Sequence, residues 1–219
     1  MALNKLKFNS LNVTPTAGKT IGFNSSADGL EATFSGGAMT FIKKLTASSS
    51  SDLSFVNGSS DVVLDSTYKE YVFILNNIHP SADSVILGLN FSADGGSNYN
   101  VTKTTTFFRA FHAEADNSTV LGYVTGNDIA QGTGDQNIMW NIGNGNDEAS
   151  CSIVRLFNPS STTFVKHFIV RGADHAASDG SGDRFIAGYC NTTSAINGVR
   201  FKFASGNIDA GDICLYGIL

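Results

Sequence analysis

From Met39 onward the chain reads as one short apolar run after another, each closed by Gly, Asn, Asp or Ser. In "VRFKFAS" the alternation has a period of two. Val199, Phe201 and Phe203 fall on one face, Arg200 and Lys202 on the other, as in a half-buried strand. "YKEYVFILNNI" is apolar on both faces, with Tyr71, Phe73 and Leu75 on one and Val72 and Ile74 beside Asn76 on the other, which predicts a central strand. Further strands are predicted in "MTFIKKLTA", "SVILGLNFSA", "YNVTKTTTFFRAFHAE", "VLGYVTG", "QNIMWNIG", "ASCSIVRLFN", "TTFVKHFIVRG", "DRFIAGYCNTT" and "GDICLYGIL". The stretch "SSSSD" reads as a break, "FNPSSTTFV" as a hairpin across a proline turn, and "ASGNIDAGDI" as a second turn into the last strand. No segment holds a helical period, and "AEADNS" is too short and acidic to be more than a turn.

This pattern predicts an all-β fold: an antiparallel β-sandwich, jelly-roll-like, with strands crossing between two packed sheets. No internal repeat of roughly 20–50 residues is present, which argues against a propeller. Residues 1–38 break the pattern, with apolar positions spaced irregularly among turn formers. They are expected to form an N-terminal docking arm with strands at Lys19–Phe23 and Gly29–Phe34, ahead of a β-sandwich domain at 39–219. Leu3, Leu6, Phe8, Leu11, Val13, Ile21 and Phe23 supply the arm's apolar surface. An edge hairpin of the main domain is the alternative reading of the same segment.

Composition sharpens this picture. The 219 residues include 23 Gly, 3 Pro and 15% charged residues, against a usual charged share of about 25%. Net charge is −5 and no basic block exceeds Lys43–Lys44, so no nucleic-acid partner is expected. Cys151, Cys190 and Cys214 are widely spaced in apolar surroundings and read as buried, reduced thiols of a chain made in a cytoplasm. The opening "MALNKLKFNSLNVTP" lacks the apolar core of a signal peptide, and no long apolar window predicts a membrane span. An exterior location is then reached by assembly or lysis.

Candidate chemistry is sparse. "FSADGGSNYNV" places Ser92, Asp94, Gly96 and Tyr99 in the S-x-D-x-G-x-x-aromatic pattern of the Asp-box, a turn motif of sialidases and other propellers. Its parts have mechanical roles: Asp94 accepts bonds from its own turn, and Gly95 and Gly96 tolerate positive φ in a tight hairpin. The motif therefore reads as structural. His79, His112, His167 and His175 form no metal-ligand spacing, and no nucleophile elbow or acid–base pairing appears, so no enzyme activity and no cofactor are expected. "RGADHAASDGSGDRF" is expected to be a solvated acidic loop; Asp174, Asp179 and Asp183 give it the carboxylate density for Ca²⁺ but not the EF-hand ladder. Tyr99, Tyr123, Trp140 and Tyr189 could form a carbohydrate platform if exposed, or pack as core.

Four ordered segments add a resemblance: "LDSTYKEYVFILNNIHPSAD", "FSADGGSNYNVT", "LFNPSSTTFVKHFIV" and "AGYCNTTSAINGVRFKFASGNIDAGDICLYGI". Together with the opening "LNKLKFNSLNVTP" they resemble small virion proteins of marine and cyanobacterial phages, of head-decoration or fibre type. The resemblance runs from about Met39 to Leu219. It implies a bacteriophage structural protein on the virion surface, with a capsid-attached decoration or head-fibre role and no catalysis. Sandwich domains of this kind often trimerise through apolar sheet faces, so a homotrimer contacting other capsid or tail proteins is expected. The alternative is a tail fibre or receptor-binding module that recognises a host-surface glycan through Tyr99, Trp140 or Tyr189.

Overall fold

A computed structural model describes residues 20–23, 26, 28–33 and 38–219. The chain divides into two compact units, Met1–Met39 and Thr40–Leu219. In the first, β1 (Thr20–Phe23) and β2 (Leu30–Thr33) pair antiparallel, with Phe23 opposite Leu30. Ile21, Phe23 and Leu30 expose their side chains. Leu3, Leu6, Phe8, Leu11 and Val13 lie outside the described residues.

The remaining strands are β3 (Met39–Thr46), β4 (Leu53–Val56), β5 (Glu70–Pro80), β6 (Val85–Ser92), β7 (Lys103–Ala113) and β8 (Thr119–Tyr123). They continue with β9 (Gln136–Ile142), β10 (Ser150–Phe157), β11 (Lys166–Ala176), β12 (Gly180–Cys190), β13 (Gly198–Phe203) and β14 (Ile208–Ile218). The described residues contain no helix. These strands form one continuous 12-stranded antiparallel sheet that folds over itself. The larger layer runs β3-β14-β5-β10-β11-β12-β7-β8 and the smaller runs β9-β6-β13-β4. The layers join where Ala176 at the end of β11 pairs with Ile142 of β9.

The interior lies between these layers, where alternate residues of each strand point inward. Phe91 of β6 meets Phe168 of β11 with ring centroids 4.9 Å apart, and Phe73 of β5 packs on Phe55 of β4 and Phe201 of β13 at 5.3 and 5.6 Å. All five rings are fully buried. Between β4 and β7 every connection carries the chain from one layer to the other, as do those from β8 to β10 and from β12 to β14. This alternation is the jelly-roll-like crossing expected from the sequence.

One strand goes beyond those expected, and two local expectations are corrected. The stretch after "SSSSD" holds a strand, β4, whose Leu53 and Phe55 enter the core; four residues beside a serine run give too short a period to read. The Asp-box turn is no hairpin. β6 pairs with β9 and β13, and β7 pairs with β12 and β8, so the motif closes a crossing between layers. The turn into β14 crosses in the same way. Finally, "RGADHAASDGSGDRF" is no solvated loop: β11 and β12 pair continuously from Lys166↔Cys190 to Ala176↔Gly180, and a tight turn closes them with Asp179 at φ 51°.

Candidate functional site

The outer face of the larger layer is its least ordinary surface. Side chains that share a register position on antiparallel strands stand side by side. One such row crosses seven strands as Cys214, Ile74, Ile153, Arg171, Phe185, Phe108 and Tyr123. Phe108 and Phe185 stack with centroids 4.8 Å apart and planes inclined by 3°. In the neighbouring row Arg155, Ile169, Ala187 and Thr106 stand abreast. Ile153, Ile169, Phe108, Leu121 and Tyr123 are all exposed here. Arg171 bonds Asp183 at 3.1 Å and lies 4.7 Å over the Phe185 ring, while Arg155 pairs with Glu70. The cations on this face are thus neutralised within it, leaving an apolar platform.

The opposite, inner face of β11, β12 and β7 carries buried charge where the larger layer extends past β9. Arg184 donates from Nε to Asp174 Oδ2 and from Nη2 to Asp174 Oδ1, both at 2.7 Å. Both residues are fully buried. Gly182 makes the space: a Cβ there would stand 2.4 Å from both Arg184 Nη2 and Asp174 Oδ1. Arg109 of β7 lies directly opposite Arg184 in the register, with its guanidinium 4.3 Å from the Trp140 ring centroid. Burial, then the Arg184 charge, lower the Arg109 pKa.

At the other end of these strands two lysines are buried as well. Lys103 Nζ donates to Asn90 Oδ1 at 2.9 Å and to the Val101 carbonyl at 3.0 Å, and burial brings its pKa down to about 8. Lys166 Nζ donates to the carbonyls of Phe164 and Thr192. Cys190 pairs with both lysines in the register, and burial pushes its thiol up to about 12.

The residues singled out from sequence do not converge. Tyr99 is half-buried beneath the Arg200 guanidinium, 4.6 Å from its ring centroid. Trp140 is half-buried at the inner corner and Tyr189 stands on the outer face, its ring tilted against His167. Tyr123 is exposed and donates to Asp128. The three aspartates part company: Asp174 points inward to Arg184, Asp183 points outward to Arg171, and Asp179 sits in the turn. Among the described residues no group of three or more His, Cys, Asp or Glu could hold a metal ion. Of the cysteines only Cys190 is buried; strand alternation puts Cys151 outward and exposed, and Cys214 is half-buried.

The Asp-box itself is fully accounted for by its turn. Asp94 accepts from the Asn98 side chain at 2.7 Å and its amide at 2.9 Å, and takes the Ser92 hydroxyl at 2.7 Å. These bonds, led by Asn98, hold its carboxyl near 2. Gly96 has φ 82°, and a Cβ there would meet Val56 at 2.7 Å. Three of the four histidines bond nearby groups: His79 to the Gly145 carbonyl, His112 to Asp116 and His175 to Glu114.

Sequence reading missed the buried Arg184, Lys103 and Lys166. A signal was present: each shares the parity of inward-facing neighbours, Ile186, Phe107 and Phe168 respectively. Comparison with protein-family models, curated proteins and solved structures gives no match to this chain.

Proposed function

We propose that this chain is a structural protein of a phage particle, a capsid-attached decoration or head-fibre protein. It associates with copies of itself through the outer face of the larger layer. The observation that carries this reading is the row from Cys214 to Tyr123, with Ile169 and Leu121 beside it: half-buried to exposed, largely apolar and internally neutralised in charge. Burying such a surface against a second copy removes apolar area from water without stranding a charge. The resemblance of the four ordered segments to phage virion proteins supports the particle as its setting. Ile21 and Phe23, exposed on β1, add apolar contact surface on the N-terminal unit for a neighbouring virion protein.

Two measurements test this. Light scattering on the purified protein is expected to give a trimer mass, reduced to that of the monomer by Ile169→Glu, which places a charge in the apolar row. A wild-type monomer at high concentration sinks the assembly face. Deleting residues 1–38 is expected to leave a folded protein that no longer joins particles; continued incorporation removes the docking role.

A further inference from the structure

The inner corner contains a cavity of about 330 Å³. Its wall includes Arg109, Arg184, Trp140, Phe111, Val120 and Ser118. It lies on the face of β7 and β12 opposite the assembly platform, so failure of either reading leaves the other standing.

Three features of this cavity point to a ligand. First, its charge is unbalanced. Two guanidiniums stand opposite one another across β7 and β12, a like-charge juxtaposition that is unfavourable by itself. Asp174 neutralises Arg184, while Arg109 forms no ion pair among the described residues. Second, donors are left over. Arg184 Nη1 and Arg109 Nε are both buried with no hydrogen-bond acceptor, and Arg184 is 1% exposed. A half-buried guanidinium without a counter-ion is costly, and an oxyanion relieves that cost. Third, the wall is mixed. Phe111, Val120 and Trp140 offer apolar surface, and the Ser118 side chain a hydroxyl, in a volume that suits one small cyclic molecule.

From these we infer that the corner is a binding site for a monocarboxylated sugar, with the carboxylate held by Arg109 and the ring against Phe111 and Val120. The surplus of one positive charge selects a monoanion. The planar guanidinium fork suits a carboxylate, and the apolar wall with its hydroxyl suits a sugar body more than a bare inorganic anion. Arg109 is positioned for this by Trp140, whose ring face holds the guanidinium in place.

Trp140 is the chain's only tryptophan, so its fluorescence reports on this corner. The full chain is titrated with glucuronate and N-acetylneuraminate, with glucose and sodium sulfate as controls. A saturable change with at least one of the two acids, absent with glucose and weaker by about tenfold or more with sulfate, is expected. Arg109→Met keeps the side-chain stem and is expected to weaken the response by about tenfold or more, since it removes a charged donor. Ser118→Phe is a second variant: its site is exposed and only its backbone carbonyl is used in the fold, accepting from Ala113 N. It is expected to fill the cavity and abolish binding with the thermal transition unchanged. The inference is overturned by no saturable response to either acid, by equal responses to sulfate or glucose, or by a response that survives in both variants.

Discussion

β11 and β12 carry two Asp–Arg pairs on opposite faces of the sheet. Asp174 and Arg184 point inward, with side chains 0% and 1% exposed and two bonds of 2.7 Å. Asp183 and Arg171 point outward, 35% and 67% exposed, with a contact of 3.1 Å. The strands, residue types and register are shared, so parity along the strand is what separates them. A slip of one residue would exchange the faces, sending Arg171 inward without its partner. The inner pair therefore acts on register: its charges are tolerable only when both arrive together, because an unpaired buried charge is expensive. The outer pair has water as an alternative and constrains little. Identical chemistry serves specificity on one side of the sheet and charge neutrality on the other.

The largest effect is expected where the inner pair is broken on one side. Arg184→Met leaves Asp174 buried and unpaired and should cost about 3–5 kcal/mol in denaturant unfolding. Adding Asp174→Leu should restore most of that loss, since a buried pair replaced by apolar residues is often neutral. If the single variant costs less than about 1 kcal/mol, the two faces do not differ as described. Gly182→Ala drives a methyl between the partners and should cost about 1–3 kcal/mol with both charges still present.

Lys103 sharpens the inner face through pH. Its folded pKa, near 8, lies below the ordinary 10.5, so between these values the unfolded chain holds more protons. Its contribution to stability therefore rises with pH across that window. Cys190 acts in the opposite sense above pH 9, because its folded thiol titrates near 12. The cleaner interval is pH 8 to 9. There the melting temperature of the wild type is expected to climb relative to that of Lys103→Met. Parallel melting curves of pH dependence for the two proteins would rule out a neutral buried Lys103.

The contrast between faces also explains what the sequence made legible. Period-two alternation in "VRFKFAS" and the two-sided apolar run in "YKEYVFILNNI" identified β13 and β5, because burial of alternate residues is written directly in residue type. The all-β crossing fold followed from many such runs. β4 escaped because a four-residue strand offers only two inward positions. The acidic segment misled for a physical reason: charge and glycine read as loop, yet Gly182 is small to admit the ion pair and Asp174 is charged to meet Arg184. Partnership across strands is a property of register, and register is not visible in a single strand. For the same reason Tyr99, Trp140 and Tyr189 stood out by type while their separate placements, beneath Arg200, beside Arg109 and against His167, did not.

The smallest effect is expected at the outer pair. Asp183→Ala should change stability by no more than about 1 kcal/mol, and by less in high salt, which already screens an exposed pair. Arg171 keeps a second support, because its guanidinium remains over the Phe185 ring at 4.7 Å after the carboxylate is gone. What Asp183→Ala removes is the neutralisation of a cation in the middle of the apolar platform. Burying that cation between copies then requires desolvating it without its counter-ion, so self-association should weaken well beyond the change in fold stability. Melting temperature and sedimentation equilibrium on the same variant separate these quantities: an unchanged association constant would mean that the outer face stays in water, and a large loss of melting temperature would mean that the two pairs are equivalent after all.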